Sequence, residues 1–540
     1  MINLYVFILG PILIATLLYL FQRKYTKLFS IIFQFILFIL SIKNFIYVKN
    51  NSIIIENLGG WNNNLGITLR ADLLSSVLVT LTLFLFLAML IYSYDKHYIS
   101  SLFLFLFLIL QSLIIGVFYS EDLFNLYVLL EVSTMVVSVL IMFKKDKRSI
   151  YDGMLYLLIN IAAMTMFLFA IGYLYKVFGV LNIYSISEKM VYIKDNKIMI
   201  FPYALMITAV GLKSALMPLF SWLPKAHGTP SAPSIVSAIL SGLYVKTGIY
   251  LFIRVQDMFL PAFDTAHIFL IMGLLTGIAG FFLAICQTDI KLILAYHTIS
   301  QIGLIMVGLN YPTTYSYWGG IYHILNHAIF KSTLFLTAGL IIEEYNTRNI
   351  YEIRGVFKRM PLIAIASILA IFGITGAPLF NGSISKYLIQ SGAKGTLMEY
   401  GIILVNFGTI ISFIKYSSMF FNDKNKKSTE NNVKKNKRIK INRTLVVLVL
   451  GMVCFLGGIL GEQIVYILFN QKIHISVEAY YHKAQIYFIS LVGGYLVYKF
   501  VILRWHLLHK VREIELSFNY ICLSIVSFFF FMTIIMNLVV

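Results

Sequence analysis

Charge is the scarcest property of this sequence: Asp, Glu, Lys and Arg together make up 12% of its 540 residues, against about 25% in soluble domains. So few charges leave no stretch able to form a soluble catalytic domain. Cysteine is nearly absent as well. Cys286, Cys454 and Cys522 each stand alone in an apolar run without a C-x-x-C partner, which excludes a thiolate-bound metal or cluster. Acid is rarer than base, with 23 Asp and Glu beside 43 Lys and Arg and a formal net charge of +20. The basic residues lie in short segments between apolar runs, where they act as topology signals, and this sets nucleic-acid binding aside.

What the sequence has in abundance is apolar length. It is 59% hydrophobic with a mean hydropathy of +0.85, and runs of about 20 apolar residues, enough to cross a hydrocarbon core as helix, recur from Leu4 to Val540. The expected fold is therefore an all-α polytopic membrane protein of about 16 spans. They fall near residues 3–21, 28–47, 72–92, 100–118, 123–143, 151–175, 203–223 and 233–253 in the first half. The second half has them near 263–285, 290–309, 317–342, 361–391, 399–421, 444–468, 484–503 and 518–539. The first run (Leu4 to Phe21) has no basic segment before it and no small-residue cleavage site after it, so it reads as a retained span with the chain starting at Met1.

Lys and Arg concentrate in alternate loops: Arg23, Lys24 and Lys27; Lys144 to Arg148; Arg348 to Arg359; KNKKSTENNVKKNKRIK; and Arg504 to Arg512. About 26 basic residues on that side against about 10 on the other place these loops in the cytoplasm and both termini outside, in a prokaryotic cytoplasmic membrane.

Two spans carry helix breakers beside a lysine. The seventh has Lys213, Pro218 and Pro224; the twelfth, GITGAPLFNGSISK, has Pro378, Gly382 and Lys386. They are five spans apart, an odd offset that turns the second copy upside down, so spans four to eight and nine to thirteen are expected to form an inverted repeat. The expected segments are residues 1–99 (three N-terminal helices), 100–254 and 262–421 (the two five-helix repeats), 422–443 (a basic cytoplasmic loop) and 444–540 (C-terminal helices).

Ionisable groups within spans cost about 2.5–3.5 kcal/mol each to insert, so each needs a reason. Glu131 is the only acid well inside a span. Lys213 lies about ten residues from either end of its span, roughly 15 Å from water. Lys246, Lys331 and Lys415 have the alternative of snorkelling to an interface. His297 alone reads equally well as a residue bonding a neighbouring carbonyl, whereas His323, His327 and Lys331, at i, i+4 and i+8, share one helix face. Two histidines four apart without a nearby carboxylate or thiolate suit a proton wire better than a metal site. The set as a whole supplies groups that can be charged or neutral, with the prolines opening the lysine's helix to water.

These residues lie in stretches with a wider likeness. LKSALMPLFSWLPKAHGTPSAPSIVSAILSGLYVKTGIY, DIKLILAYHTISQIG, YHILNHAIFKSTLFLTAG and GITGAPLFNGSISKYLI closely resemble the antiporter-like proton-pumping subunits of respiratory complex I, Mrp-type cation/proton antiporters and membrane-bound hydrogenases. The likeness runs from about Glu121 to Leu388, and Lys386, with LAYH and YHILNHAIFK, is more similar to the hydrogenase and Mrp members. It implies a 14-helix core with the inverted repeat, held in a multisubunit complex. It also implies an ion pair between Glu131 and Lys213 and a proton path continuing through Lys246, His297, His323, His327 and Lys386. Lys225, His227, Lys331, Pro218 and Pro378 would support that path.

The function expected is translocation of protons by a subunit without a redox cofactor or metal, driven by neighbouring subunits through redox chemistry or a second ion gradient. Protons would enter near Lys225, His227 and Lys246 and leave by Lys386. Na⁺ stays open as a second ion, because carboxylates able to dehydrate it are nearly absent from the spans unless partners supply them. The alternative is a stand-alone secondary transporter of a small solute or ion, which would purify as a functional single chain. The last two spans exceed the 14-helix core and are expected to dock a partner.

Overall fold

In the computed structural model, residues 2–21, 25–61, 66–96, 98–421, 440–505, 507–512 and 517–539 are described. Arg23, Lys24 and nearly all of the basic 422–443 loop lie outside them. Every apolar run expected to span coincides with helix. Among the described residues, thirteen helices are long and apolar enough to cross a membrane, with Tyr5–Leu20 and Pro361–Thr375 as shorter apolar helices. A short antiparallel hairpin, Ile54–Asn57 with Thr68–Ala71, is the one two-stranded sheet among the described residues.

Five of the aspartates sit where helices begin. Asp72, Asp122, Asp146, Asp195 and Asp289 each accept a backbone N–H in the first turn of the helix that follows, satisfying donors that have no partner within the helix. The apolar runs between these caps need no further instruction, since in lipid a helix alone satisfies its own backbone.

The chain divides into two compact units. The first comprises Met1–Ala226, Leu243–Thr265 and Leu516–Val540. Its helices Leu123–Ile141, Ile200–Lys213 and Val245–Phe259 carry Glu131, Lys213 and Lys246. Beyond Lys213 the chain turns through Pro218 and enters a π-helical turn at Pro224–Gly228. The break leaves carbonyls without their helical partners, and local donors take them up: Ala215 N–H donates to Leu212 O, Leu216 N–H to Gly211 O, and the Trp222 indole to Leu212 O at 2.8 Å.

The second unit comprises His227–Gly242 and Ala266–Glu515. Here the twelfth span is split into Pro361–Thr375 and Asn381–Gly392, with Gly376 and Leu379 in the left-handed region between them. The fourteenth run bends at Leu460 into Ile441–Ile459 and Gly461–Phe469. Gly461 permits this close packing, because a Cβ there would stand 2.7 Å from Ile384 of the split span.

The sequence announces two broken spans; besides these and the bend at Leu460, the structure interrupts one more. The eighth run forms Ser234–Ile239, a π-helical turn at Leu240–Tyr244 and then Val245–Phe259. At Gly242 a Cβ would meet the Ala328 carbonyl at 3.2 Å, so the wide turn coincides with close backbone approach. No proline marks it, which is why the run reads as regular.

The two units share a local device at the same sequence interval. Asp122 and Asn182 form an isolated antiparallel bridge, and so do Asp289 and Asn349. In each case the intervening long helix, Lys147–Phe178 or Thr314–Tyr345, has 32 residues and ends on a left-handed cap, Gly179 or Asn346.

In the second unit Ala266–Cys286 and Ile290–Asn310 pack on small residues. A Cβ at Gly303 would sit 2.5 Å from the Gly273 carbonyl, and one at Gly280 would sit 2.6 Å from Ser300 Cα. Such contacts leave no room for a side chain. Gly303→Val is expected to lower stability by about 1–3 kcal/mol or more, read as a fall in the thermal unfolding midpoint of the detergent-solubilised protein. An unchanged midpoint would show that this contact is looser than described.

Candidate functional site

In the first unit the helices of Glu131 and Lys213 do face one another, but the expected ion pair is not formed. The Lys213 ammonium, 1% exposed, donates to Thr134 Oγ1 at 2.5 Å and to the Tyr244 hydroxyl at 3.3 Å. Thr134 is one helical turn after Glu131, and the Tyr244 hydroxyl is in turn within 3.0 Å of Ser133 Oγ. These neutral oxygens point into the protein, while Glu131 is half-buried with its Oε2 lacking a hydrogen-bond partner. The lysine therefore binds the deeper acceptors, and the carboxylate remains close enough to feel its charge. Val245–Phe259 presses on the end of Lys213's helix through Gly248, where a Cβ would lie 2.6 Å from Lys213 C. Lys246 on that helix is 1% exposed, so it does not snorkel. Lys225 is half-buried on the π-helical turn.

The second unit assembles a longer set. His323 bonds Gln301 Oε1 through Nε2 at 3.1 Å and Ser385 Oγ through Nδ1 at 2.8 Å. Gln301 donates onward to Thr409 Oγ1 at 3.4 Å. Asn326 donates to the Asn381 carbonyl at 3.0 Å and to Ser385 at 3.3 Å. Four helices are thus linked by neutral polar groups, and Ser385 is the residue beside Lys386. The Lys386 ammonium reaches across the break to donate to Ile374 O at 2.7 Å, at the carbonyl end of Pro361–Thr375, where a cation is favoured.

His297 lies one turn before Gln301. Its ring packs against Phe413 with centroids 4.8 Å apart, neither nitrogen has a hydrogen-bond partner, and the charges of Lys331 and Lys386 act on it. His327 stands one turn from His323, the ring centroids 6.5 Å apart. His227 is fully buried, with its ring edge-on to Phe335.

Snorkelling is ruled out for the other two lysines as well. Lys331, 0% exposed, donates to Leu294 O at 2.6 Å. Lys415, 2% exposed, donates to Ile285 O at 2.6 Å and to Gln287 O, capping the end of Ala266–Cys286. The physical reason is the same for both: a released or shared carbonyl is nearer than water. Gln301, Asn326, Ser385, Thr134 and Tyr244 were not singled out in the sequence, their only signal being neutral polarity within an apolar run.

Helices broken at proline, with buried ammonium groups on backbone and hydroxyl oxygens, define a multi-span membrane protein built around charge within the bilayer. Residues 120–412 match the family described as NADH:quinone oxidoreductase/Mrp antiporter, TM. The antiporter subunit mnhD2 of Staphylococcus aureus strain N315 is 31% identical over 427 residues, 77% of this chain and 85% of the relative. That of Staphylococcus haemolyticus strain JCSC1435 is 30% identical over 464 residues, 82% and 91% of the two chains. The chain belongs to this antiporter family. Its fold is also that of two solved structures at 22% identity: the Mrp complex from Dietzia sp. DQ12-45-1b (TM-score 0.79, covering 89% of this chain and 99% of that one) and the membrane-bound sulfane sulfur reductase, an archaeal respiratory membrane complex (TM-score 0.76, 91% and 99%). The Mrp-type antiporter resemblance expected from the sequence is the one observed.

The contact at Lys213 yields a thermodynamic cycle. Thr134→Val removes the shorter of its two acceptors and should lower the thermal midpoint of the purified protein, by about 1–3 kcal/mol of stability. Lys213→Met in the same background should restore most of the loss, since the buried charge that needed the oxygen is gone. Additive losses in the double variant would refute the coupling.

Proposed function

We propose that the chain is an antiporter-like subunit that translocates protons, with or without a coupled cation, within a multisubunit membrane complex. It lies in a prokaryotic cytoplasmic membrane with its basic loops in the cytoplasm and both termini outside. The observation that carries this reading is the hydrogen-bonded series Thr409, Gln301, His323 and Ser385 leading to Lys386, with His297 free at both ring nitrogens one turn away. Side chains that accept and donate at successive positions, in a region without bulk water, are what a hopping proton requires.

In this reading Lys213 alternates between two sets of partners. In the conformation described it rests on Thr134 and Tyr244; in the other it pairs with Glu131, one turn away. Forming the pair favours the charged lysine and breaking it favours proton release. Protons enter near Lys225, His227 and Lys246, pass His297, His323, His327 and Lys331, and leave by Lys386. Other membrane subunits supply the driving reaction and any carboxylates that a sodium ion needs. The family relationship and the large multisubunit complexes among the structural neighbours favour this over a stand-alone transporter.

The test is proton-coupled transport by the intact complex in vesicles, normalised to assembled complex. Glu131→Gln preserves shape and removes the titrating charge, and should reduce transport by about tenfold or more. Lys386→Ala should abolish it. Lys415→Ala removes a helix cap and should lower the thermal midpoint more than the rate per complex. Equal losses per complex from the two lysine substitutions would remove the ground for ending the route at Lys386.

A further inference from the structure

The helix Val477–Phe500 belongs to the pair beyond the expected core, and one of its faces is fastened to the broken twelfth span. Tyr480, Lys483 and Tyr487, at i, i+3 and i+7, share that face. The Tyr480 hydroxyl accepts from the Leu379 N–H at 2.6 Å and from Ser383 Oγ at 3.3 Å. The Lys483 ammonium donates to Ser383 O at 3.0 Å and lies over the Tyr387 ring, 5.0 Å from its centroid. The Tyr487 hydroxyl is 3.1 Å from Thr375 Oγ1. Thr375 ends the first half-helix, Leu379 is within the break, and Ser383 lies in the first turn of the second half, so one face holds all three parts. The opposite face, with Tyr481, Phe488, Ile489 and Val492, is exposed and apolar, as for a helix seated against lipid.

A lysine on such a helix needs a reason beyond anchorage, which the tyrosines provide. Lys483 is half-buried, whereas Lys386 is 1% exposed. It bonds the carbonyl of the residue one turn before Lys386, and the two ammonium charges act on each other. Of the titratable groups facing Lys483, Lys386 and Tyr387 come from Asn381–Gly392 and Tyr480 from its own helix; the packed helix Leu397–Ser417 adds no charge that acts on it.

We propose that Lys483 is a further proton-carrying residue, relaying protons between Lys386 and water at the end of the membrane where Val477–Phe500 begins. The step transfers one proton and no electrons: the Lys386 ammonium becomes an amine as the Lys483 amine becomes an ammonium, directly or through one water. Two ammonium groups whose charges act on each other resist being charged together, so arrival of a proton at one favours its departure from the other. The proposal rests on the proton-translocation reading above.

The experiment separates the two ideas. Intact complexes carrying Lys483→Arg, Lys483→Gln, Lys483→His, Tyr480→Phe or Lys386→Ala are reconstituted in vesicles, and proton uptake per assembled complex is followed with a pH-sensitive dye across a range of pH. Arginine keeps the charge and the hydrogen bond but holds its proton, so Lys483→Arg should lose about tenfold or more, as should Lys483→Gln. Histidine titrates, so Lys483→His should retain transport with its optimum moved to lower pH by about one unit or more. Tyr480→Phe loosens the strap and should lower the rate without moving the optimum. Full activity in Lys483→Arg beside a dead Lys386→Ala overturns the relay and leaves the helix as a structural clamp. Full activity in Lys386→Ala overturns the translocation route on which the relay depends.

Discussion

A lysine ammonium enclosed in a bilayer must find oxygen within the protein, and much of this structure is arranged around where that oxygen comes from. Lys386 takes the Ile374 carbonyl across a helix break, Lys415 takes the carbonyls at the end of a neighbouring helix, and Lys331 shares the Leu294 carbonyl. Lys291 follows the same rule on Ala232 O and Ser237 Oγ. Lys213, by contrast, rests on side-chain hydroxyls. Interrupting a helix in lipid exposes carbonyls at a cost of several kcal/mol each, and burying an ammonium is costly too. Placed together, each removes much of the other's penalty, which explains why broken helices and lysines coincide in this chain.

The spans and the breaks were legible because their causes are local. A run of about 20 apolar residues has one stable form in lipid, and Pro218 and Pro378 cannot continue the ladder whatever surrounds them. The lysines' partners were not legible, because a backbone carbonyl is present at every residue and the sequence does not mark which ones a break or a helix end will release. For that reason Lys331 and Lys415 resembled snorkelling residues and Glu131 seemed the obvious partner for Lys213. The π-helical turn at Leu240–Tyr244 was hidden for a related reason: it coincides with the close approach of Gly242 to Ala328, a tertiary event. Gln301, Ser385 and Thr134 carry no such mark, because a neutral polar residue in a span is common and becomes informative only when its neighbour is known.

The repeated bridges carry a second lesson about legibility. Asp122 with Asn182 and Asp289 with Asn349 hold the two ends of a helix hairpin together by the same antiparallel hydrogen bonds, with the aspartate also capping the next helix. The pair was available in the sequence as two Asp and two Asn residues at equal intervals, each beside an apolar residue. These polar clasps recur at one interval and serve the same structural purpose in both units, whereas the buried ionisable side chains of the two units differ.

That divergence follows from the chemistry of the amine. Both the ammonium and the neutral amine possess N–H donors, so a lysine resting on a carbonyl keeps a hydrogen bond whichever form it takes. A lysine paired with a carboxylate behaves differently, since loss of its proton leaves a buried anion uncompensated. The near absence of acid from the spans thus suits a chain whose lysines change charge while their surroundings hold still. Where a conformational response is needed, a carboxylate has to be close. Among the described residues Glu131, half-buried and one turn from the oxygen that Lys213 now occupies, is the acid so placed: a second resting place whose attraction depends on charge, next to a first whose attraction does not.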